Sequence, residues 1–246
     1  MKHIIIPARL ESKRFPEKIL FKMNNGRTIM EEVYRNALKA GFDSVSIATD
    51  SFKIQEIAKS FGANVCRTKL SHSSGTSRIA EAVDTLGIHD GDIIVNLQCD
   101  EPFMPISNIK QVASLIKDHP TNVVGTLYEN VYQKNVILDP NCVKVVFNRN
   151  KEALYFSRSP IPWSLSLNLK DVLVKGYYRH IGIYSFRSIF VKKYASMSIS
   201  FAEECESLEQ LRILHAGYKI FLERSIEKTK MSINTMSDLE SLEDVI

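Results

Sequence analysis

Ile5-Ile6-Pro7-Ala8-Arg9-Leu10-Glu11-Ser12-Lys13-Arg14-Phe15-Pro16-Glu17-Lys18 is the stretch on which the reading of the fold turns. Its apolar opening, close to the start of the chain, reads as a buried strand. That strand gives way at once to a segment carrying Arg9, Lys13, Arg14 and Lys18, stiffened by Pro7 and Pro16. Cations this dense do not pack into a core. Leaving a buried strand, they read as a clamp for phosphate oxygens, with arginine forks and a lysine point charge. The plain alternative is a solvated surface loop. Anchorage in a buried strand favours the clamp, because in open α/β sheets ligands bind beyond the carboxyl ends of the strands. The loop is neither a Walker A motif nor a GxGxxG fingerprint.

Downstream, strand and helix patterns alternate. Helical spacing over 29–40 ends at Gly41, a strand follows over 44–49, and Asp50 or Ser51 opens a helix that Gly62 closes. A short strand is expected at 64–66, a helix over 76–86, a buried strand over 92–97, and a helix capped by Ser107 running through Ile116. This βαβα order predicts an α/β fold with a mostly parallel, Rossmann-like sheet flanked by helices. The second half is less regular. Strands are expected at 123–127, 143–147 and 178–186, a helix over 206–216, and a final helix over 238–245 capped by Ser237. One domain over 1–246 is expected, with a smaller layer inserted near 131–197.

The chain has 246 residues, 44% of them hydrophobic and 24% charged, with a net charge of +4. That suits a large α/β domain. The charge is mild and no long basic run occurs, which speaks against nucleic acid and for a focused positive cleft. Cys66, Cys99, Cys142 and Cys205 form no CxxC pair, so reduced thiols in the cytoplasm are expected. No stretch reads as a signal peptide or a bilayer span, and no membrane insertion is expected.

Three further features carry chemistry. Asp100 follows the apolar run Ile93-Ile94-Val95-Asn96-Leu97 and should project from the sheet's carboxyl edge, where a carboxylate beside phosphates suits Mg²⁺. A turn-forming Asp-Glu-Pro is the alternative. His72-Ser73-Ser74-Gly75-Thr76-Ser77-Arg78 opens a helix with small residues that let backbone approach a flat ligand, or simply caps that helix. Polar groups are scattered through the irregular half, among them Arg158, Arg179, His180, Tyr184, Glu209, Gln210 and Arg212. Spacing alone gives them no role.

Seven segments occur in order across most of the chain: IIPARLESKRFPEK, HSSGTSR, IVNLQCDEP, DPNCVKVV, LYFSRSPIPW, RHIGIYSF and ESLEQLR. Together they resemble the 3-deoxy-manno-octulosonate cytidylyltransferase (CMP-Kdo synthetase) family. The resemblance implies a nucleotidyltransferase-type fold with a sugar-binding and dimerisation layer. It implies transfer of CMP from CTP to the anomeric hydroxyl of Kdo, with Mg²⁺, release of pyrophosphate and a product for lipopolysaccharide assembly. By motif it places Arg14, Lys18 and Asp100 in catalysis. Pro7, Ala8, Arg9, Arg14, Lys18, Ser74, Gly75, Arg78 and Gln98 would surround the nucleotide. Gln98, Arg158, His180, Tyr184, Glu209 and Gln210 would line the sugar pocket, and Asp100 and Asn234 would hold the metal. A homodimer is implied.

Three positions depart from the family pattern. Glu17 stands where the family has glycine in PGK, and a like charge about 4 Å from a phosphate repels it by roughly 4 kcal/mol at an effective dielectric of 20. Glu17 should therefore point away or meet a cation. Cys99 replaces the glycine of QGDEP, and Asn234 replaces an aspartate expected to assist metal binding. These changes leave open another nonulosonic or amino-Kdo sugar, or a nucleotide-binding paralogue without activity. A glycosyltransferase of similar fold would ordinarily carry a DxD motif, which Asp100-Glu101-Pro102 does not supply.

Overall fold

Residues 4–6 are all isoleucine and all fully buried, because strand β1 (Lys2–Ala8) is covered on both faces. Ile4 and Ile6 join one core cluster, and Ile5 joins the other. The computed structural model describes residues 1–10, 15–72, 74–119, 121–164, 176–230, 233 and 238–239. Arg14 and Asn234 lie outside the described residues, as do Lys13 and most of the helix expected over 238–245.

The remaining elements are α1 (Ile29–Leu38), β2 (Ser44–Thr49), α2 (Phe52–Ser60), β3 (Val65–Arg67), α3 (Gly75–Thr85), β4 (Ile93–Asn96), α4 (Ile106–Lys117), β5 (Val124–Val131), α5 (Lys134–Leu138), β6 (Lys144–Phe147), β7 (Ala153–Ser157), β8 (Tyr177–Arg187), α6 (Ser188–Tyr194), α7 (Phe201–Glu206), α8 (Gln210–His215) and β9 (Phe221–Arg224). Strand order along the main sheet is β3-β2-β1-β4-β8-β5-β9. β8 runs antiparallel to both β4 and β5, while the neighbouring pairs β1–β2, β1–β4, β2–β3 and β5–β9 are parallel. The chain order reverses between β1 and β4, which puts the loops after these two strands side by side over a crevice.

Local chemistry sets the helix starts. Thr28 caps α1 through the Glu31 amide, and Ser51 caps α2 through the Ile54 amide. Ser74 and Ser77 form a capping box on α3. Three expectations are corrected. Ser107 does not cap α4, which begins after Pro105; its hydroxyl binds Glu227 on the returning tail instead. The helix expected over 206–216 is broken, because Ser207 turns left-handed (φ 52°) and separates α7 from α8. The strand expected over 178–186 carries an irregularity: Thr126 faces Tyr184 but Leu127 faces Ile181, so Gly182 and Ile183 bulge out of register.

Within the layer expected near 131–197, β6 and β7 pair with each other off the main path, and β6 joins β8 through Lys144 opposite Arg179. β8 is shared: its end pairs with β4 in the main sheet, and its beginning carries β6. β6 and β7 are therefore continuous with the main sheet. Among the described residues, no helix is long and apolar enough to cross a membrane.

Candidate active site

The loop after β1 turns back through a short 3-10 segment, Lys18–Leu20, and sends Lys18 under the sheet edge. Lys18 is buried. Its ammonium donates to Asp100 Oδ2 at 2.7 Å and to the Ile233 carbonyl at 2.6 Å. Asp100 leaves the end of β4 on a turn, and its backbone carbonyl accepts from the Ile233 amide at 3.3 Å. Two residues expected at the phosphate and the metal are thus brought into contact, and the tail at Ile233 is pinned against them. Arg9 is exposed at the same edge.

Glu17 meets a cation, as its charge requires: Lys53 Nζ binds both carboxylate oxygens, at 2.6 and 2.7 Å. The pair is half-exposed and contributes little stability. Glu17 adopts φ 53°, a left-handed conformation natural to glycine and costing a side-chain-bearing residue about 1 kcal/mol. Cys99 is buried beside Asp100, and burial pushes its thiol up, away from thiolate chemistry.

The amino end of α3 lies across the crevice. A Cβ on Gly75 would sit 3.4 Å from Pro7 and 3.9 Å from Gln98 Oε1, so three residues expected at the nucleotide converge here. Glu209 reaches over from the segment before α8 and accepts from the Gly75 amide (3.2 Å), the Thr76 amide (3.3 Å) and the Thr76 hydroxyl (2.9 Å). An anion at a helix amino terminus is well placed. Arg78, expected beside the nucleotide, has partners within the protein. It is buried, donating to Asp50 at 2.8 Å and Thr68 at 2.6 Å, which makes it a tie between β2, the loop after β3 and α3.

Beside this edge opens a cavity of about 370 Å³. Its lining includes Gln98, Arg158, His180, Tyr184, Glu209 and Gln210, together with Asp100. All six residues expected at a sugar therefore share one cavity, although they come from four separate stretches of chain. Arg158 is held by the carbonyls of Glu206 (2.6 Å), Pro140 (2.9 Å) and Ser207 (3.4 Å). Its own carbonyl accepts from Lys144, a fully buried ammonium that also binds the Asp139 and Cys142 carbonyls. This web of carbonyls fixes the cationic wall, and the Lys144 ammonium adds positive potential behind it. Asn141, Arg179, Tyr194, Thr229 and Lys230 also line the cavity and were assigned no role from sequence. Asn141 falls inside the DPNCVKVV segment, which could have flagged it. Arg179 binds Glu129 at 2.8 Å and Thr229 at 2.6 Å, fastening the tail that runs on to Ile233.

His180 is a hydrogen-bonding group here rather than a proton carrier. Burial pushes its imidazole down from 6.5 to about 3. The Thr126 hydroxyl lies 2.9 Å from Nε2 and also contacts the Ile183 (2.8 Å) and Ile181 (3.1 Å) carbonyls. Its single proton goes to a carbonyl, so its oxygen accepts from Nε2–H and the neutral ring keeps Nδ1 as an acceptor. The folded ring stays neutral down to about pH 3 while the unfolded ring protonates near 6.5. Stability is therefore complete above 6.5 and falls as pH falls through that window, by about 1.4 kcal/mol per pH unit. His180→Gln should flatten the acid limb of a urea-denaturation pH series by one proton. An unchanged slope would contradict the buried neutral ring.

No group of three or more His, Cys, Asp or Glu side chains stands ready for a metal among the described residues. Magnesium is ordinarily held by one or two carboxylates together with substrate phosphates, so the half-buried Asp100 at the cavity mouth fits such an ion.

The cytidylyltransferase family model matches residues 3–223. The 3-deoxy-manno-octulosonate cytidylyltransferase of Francisella tularensis strain SCHU S4 is 48% identical over 241 residues, covering 98% of this chain and 96% of that one. The enzyme of the same name from Haemophilus influenzae is 40% identical over 249 residues, covering 99% and 97%. A solved structure of CMP:2-keto-3-deoxy-manno-octonic acid synthetase complexed with CTP superposes with a TM-score of 0.88 at 34% identity, covering 99% of this chain and 97% of that one.

Proposed function

From the premise that this chain belongs to the cytidylyltransferase family, we propose that it transfers CMP from CTP to the anomeric hydroxyl of 3-deoxy-D-manno-octulosonate and releases pyrophosphate. The observation that carries this reading is the single cavity in which Gln98, Arg158, His180, Tyr184, Glu209 and Gln210 meet beside Asp100. The relatives' names and the CTP complex of the similar structure point the same way.

A sugar acid needs one cation for its carboxylate and several partners for its hydroxyls. Arg158 supplies the first, in a fork held rigid by three carbonyls. Gln98, the Nδ1 acceptor of His180, Tyr184 and Gln210 supply the second. Pro7, Ala8, Arg9, Ser74, Gly75 and Gln98 form the nucleotide face. Arg14 joins Lys18 on the triphosphate by family motif. Lys18 keeps one ammonium proton beyond its two contacts, a donor left for a phosphate oxygen. Asp100 and Asn234 would hold Mg²⁺, which when bound offsets phosphate charge and favours departure of pyrophosphate. The sugar hydroxyl attacks the α-phosphorus in line with the leaving group, and the protein contributes chiefly positioning and charge stabilisation.

We further place the protein in the cytoplasm as a homodimer that supplies lipopolysaccharide synthesis. Leu154 on β7, Trp163 and Phe201 are more than half exposed, apolar surface of the kind a second copy would cover. Pyrophosphate release measured with CTP, Mg²⁺ and a panel of 3-deoxy sugar acids tests the activity. Release dependent on 3-deoxy-D-manno-octulosonate is expected. Nucleotide binding without release for any sugar acid would favour an inactive paralogue.

A further inference from the structure

The floor of the cavity holds two phenols that the reading above does not fully use. Tyr194, the last residue of α6, is completely buried, and Tyr184 on β8 is 8% exposed. Both line the cavity, and neither hydroxyl has a partner within hydrogen-bonding geometry. Buried phenols ordinarily find one. Tyr194 is held firmly: the Arg212 guanidinium lies 4.9 Å over its ring, and Glu203 fixes that guanidinium at 2.6 and 2.7 Å. Ser74 also faces the Tyr194 phenol, but no hydrogen bond of good geometry joins the two, and the Ser74 oxygen already accepts from the Ser77 amide. Both phenols sense the carboxylate of Glu209.

We propose that Tyr194 is a specificity-determining residue, receiving with Tyr184 and Glu209 one alcohol group of the sugar acid. The chemistry selects the alcohol. Glu209 already accepts three bonds from α3 and retains capacity for about one more donor. Each phenol brings a donor that needs an acceptor. A hydroxyl does both, accepting from phenol and donating to carboxylate. An ammonium cannot accept, a carboxylate is repelled by Glu209, and an apolar group leaves both phenols unmatched. This inference rests on the sugar-acid reading of the same cavity and narrows it to a sugar with a hydroxyl, not an amine, at that position.

Calorimetry of 3-deoxy-D-manno-octulosonate and its monodeoxy analogues against wild type and Tyr194→Phe tests this, with CTP affinity as the check on folding. The variant should bind the parent sugar about tenfold more weakly and CTP normally. One monodeoxy analogue should bind both proteins alike, which a merely structural role would not produce. Parent binding unchanged in the variant, or all sugars weakened by one common factor, would overturn the assignment. If Tyr194→Phe does not fold, a wild-type crystal soaked with the sugar decides: a sugar oxygen at the phenol supports the proposal, and a water there refutes it. Pyrophosphate release by wild type separates the two readings. Release with an indifferent Tyr194 sinks only this inference, whereas absent release and absent sugar binding sink both.

Discussion

Asp100→Asn should lower turnover at least a hundredfold, a loss of about 3 kcal/mol of transition-state stabilisation. The carboxylate is half-buried at the cavity mouth, and Lys18 binds it at 2.7 Å. The amide oxygen of asparagine can still accept that bond, so the variant should fold. It cannot carry the negative charge that a metal-bound triphosphate site requires. The loss should therefore fall on kcat and on the Mg²⁺ requirement, with the KM for the sugar acid little changed. Steady-state kinetics over a Mg²⁺ titration reads both. Near-normal turnover at ordinary Mg²⁺ would remove Asp100 from catalysis.

The second large effect concerns stability. Arg212→Met should cost about 3–5 kcal/mol, or roughly 10 °C in Tm, because it leaves the Glu203 carboxylate buried without its partner. The pair is bidentate, with side chains 6% and 10% exposed, so solvent screens it poorly. Methionine preserves much of the packing against Tyr194, which makes lost charge rather than lost volume the cause. The double variant Arg212→Met, Glu203→Leu should recover most of the loss, since no charge is then stranded. Thermal or urea unfolding of the two variants checks this. A double variant no more stable than Arg212→Met would contradict the ion-pair account.

Features governed by short-range chemistry were legible in the sequence. β1 and β4 are built on apolar runs, residues 4–6 and 93–95, because both faces of the sheet are covered, and the residues following them had to emerge at one edge. Ser51 and the Ser74–Ser77 box announced α2 and α3. What depended on distant partners was not legible. No local pattern reveals that β8 runs against its neighbours, since alternation is blind to direction. Ser207 carries no strong signal for a left-handed turn, so α7 and α8 read as one helix. Glu227 drew the Ser107 hydroxyl away from a cap that looked complete locally.

The site divides in the same way. The six residues that the family motif assigned to a sugar line one cavity, yet the motif could not show that Arg78 is buried against Asp50 and Thr68. Nor could it show Lys18 already joined to Asp100. Tyr194 stands out only in three dimensions, because an unmatched buried hydroxyl is a property of its surroundings.

The most direct measurement is a crystal structure with CTP, Mg²⁺ and a non-reacting analogue of 3-deoxy-D-manno-octulosonate bound together. The α-phosphorus should lie beside Asp100 and Lys18. The sugar carboxylate should meet Arg158, and the anomeric position should sit about 3–3.5 Å from that phosphorus. A sugar bound outside the cavity of Arg158, His180 and Glu209, or a triphosphate turned away from Lys18 and Asp100, would contradict the account.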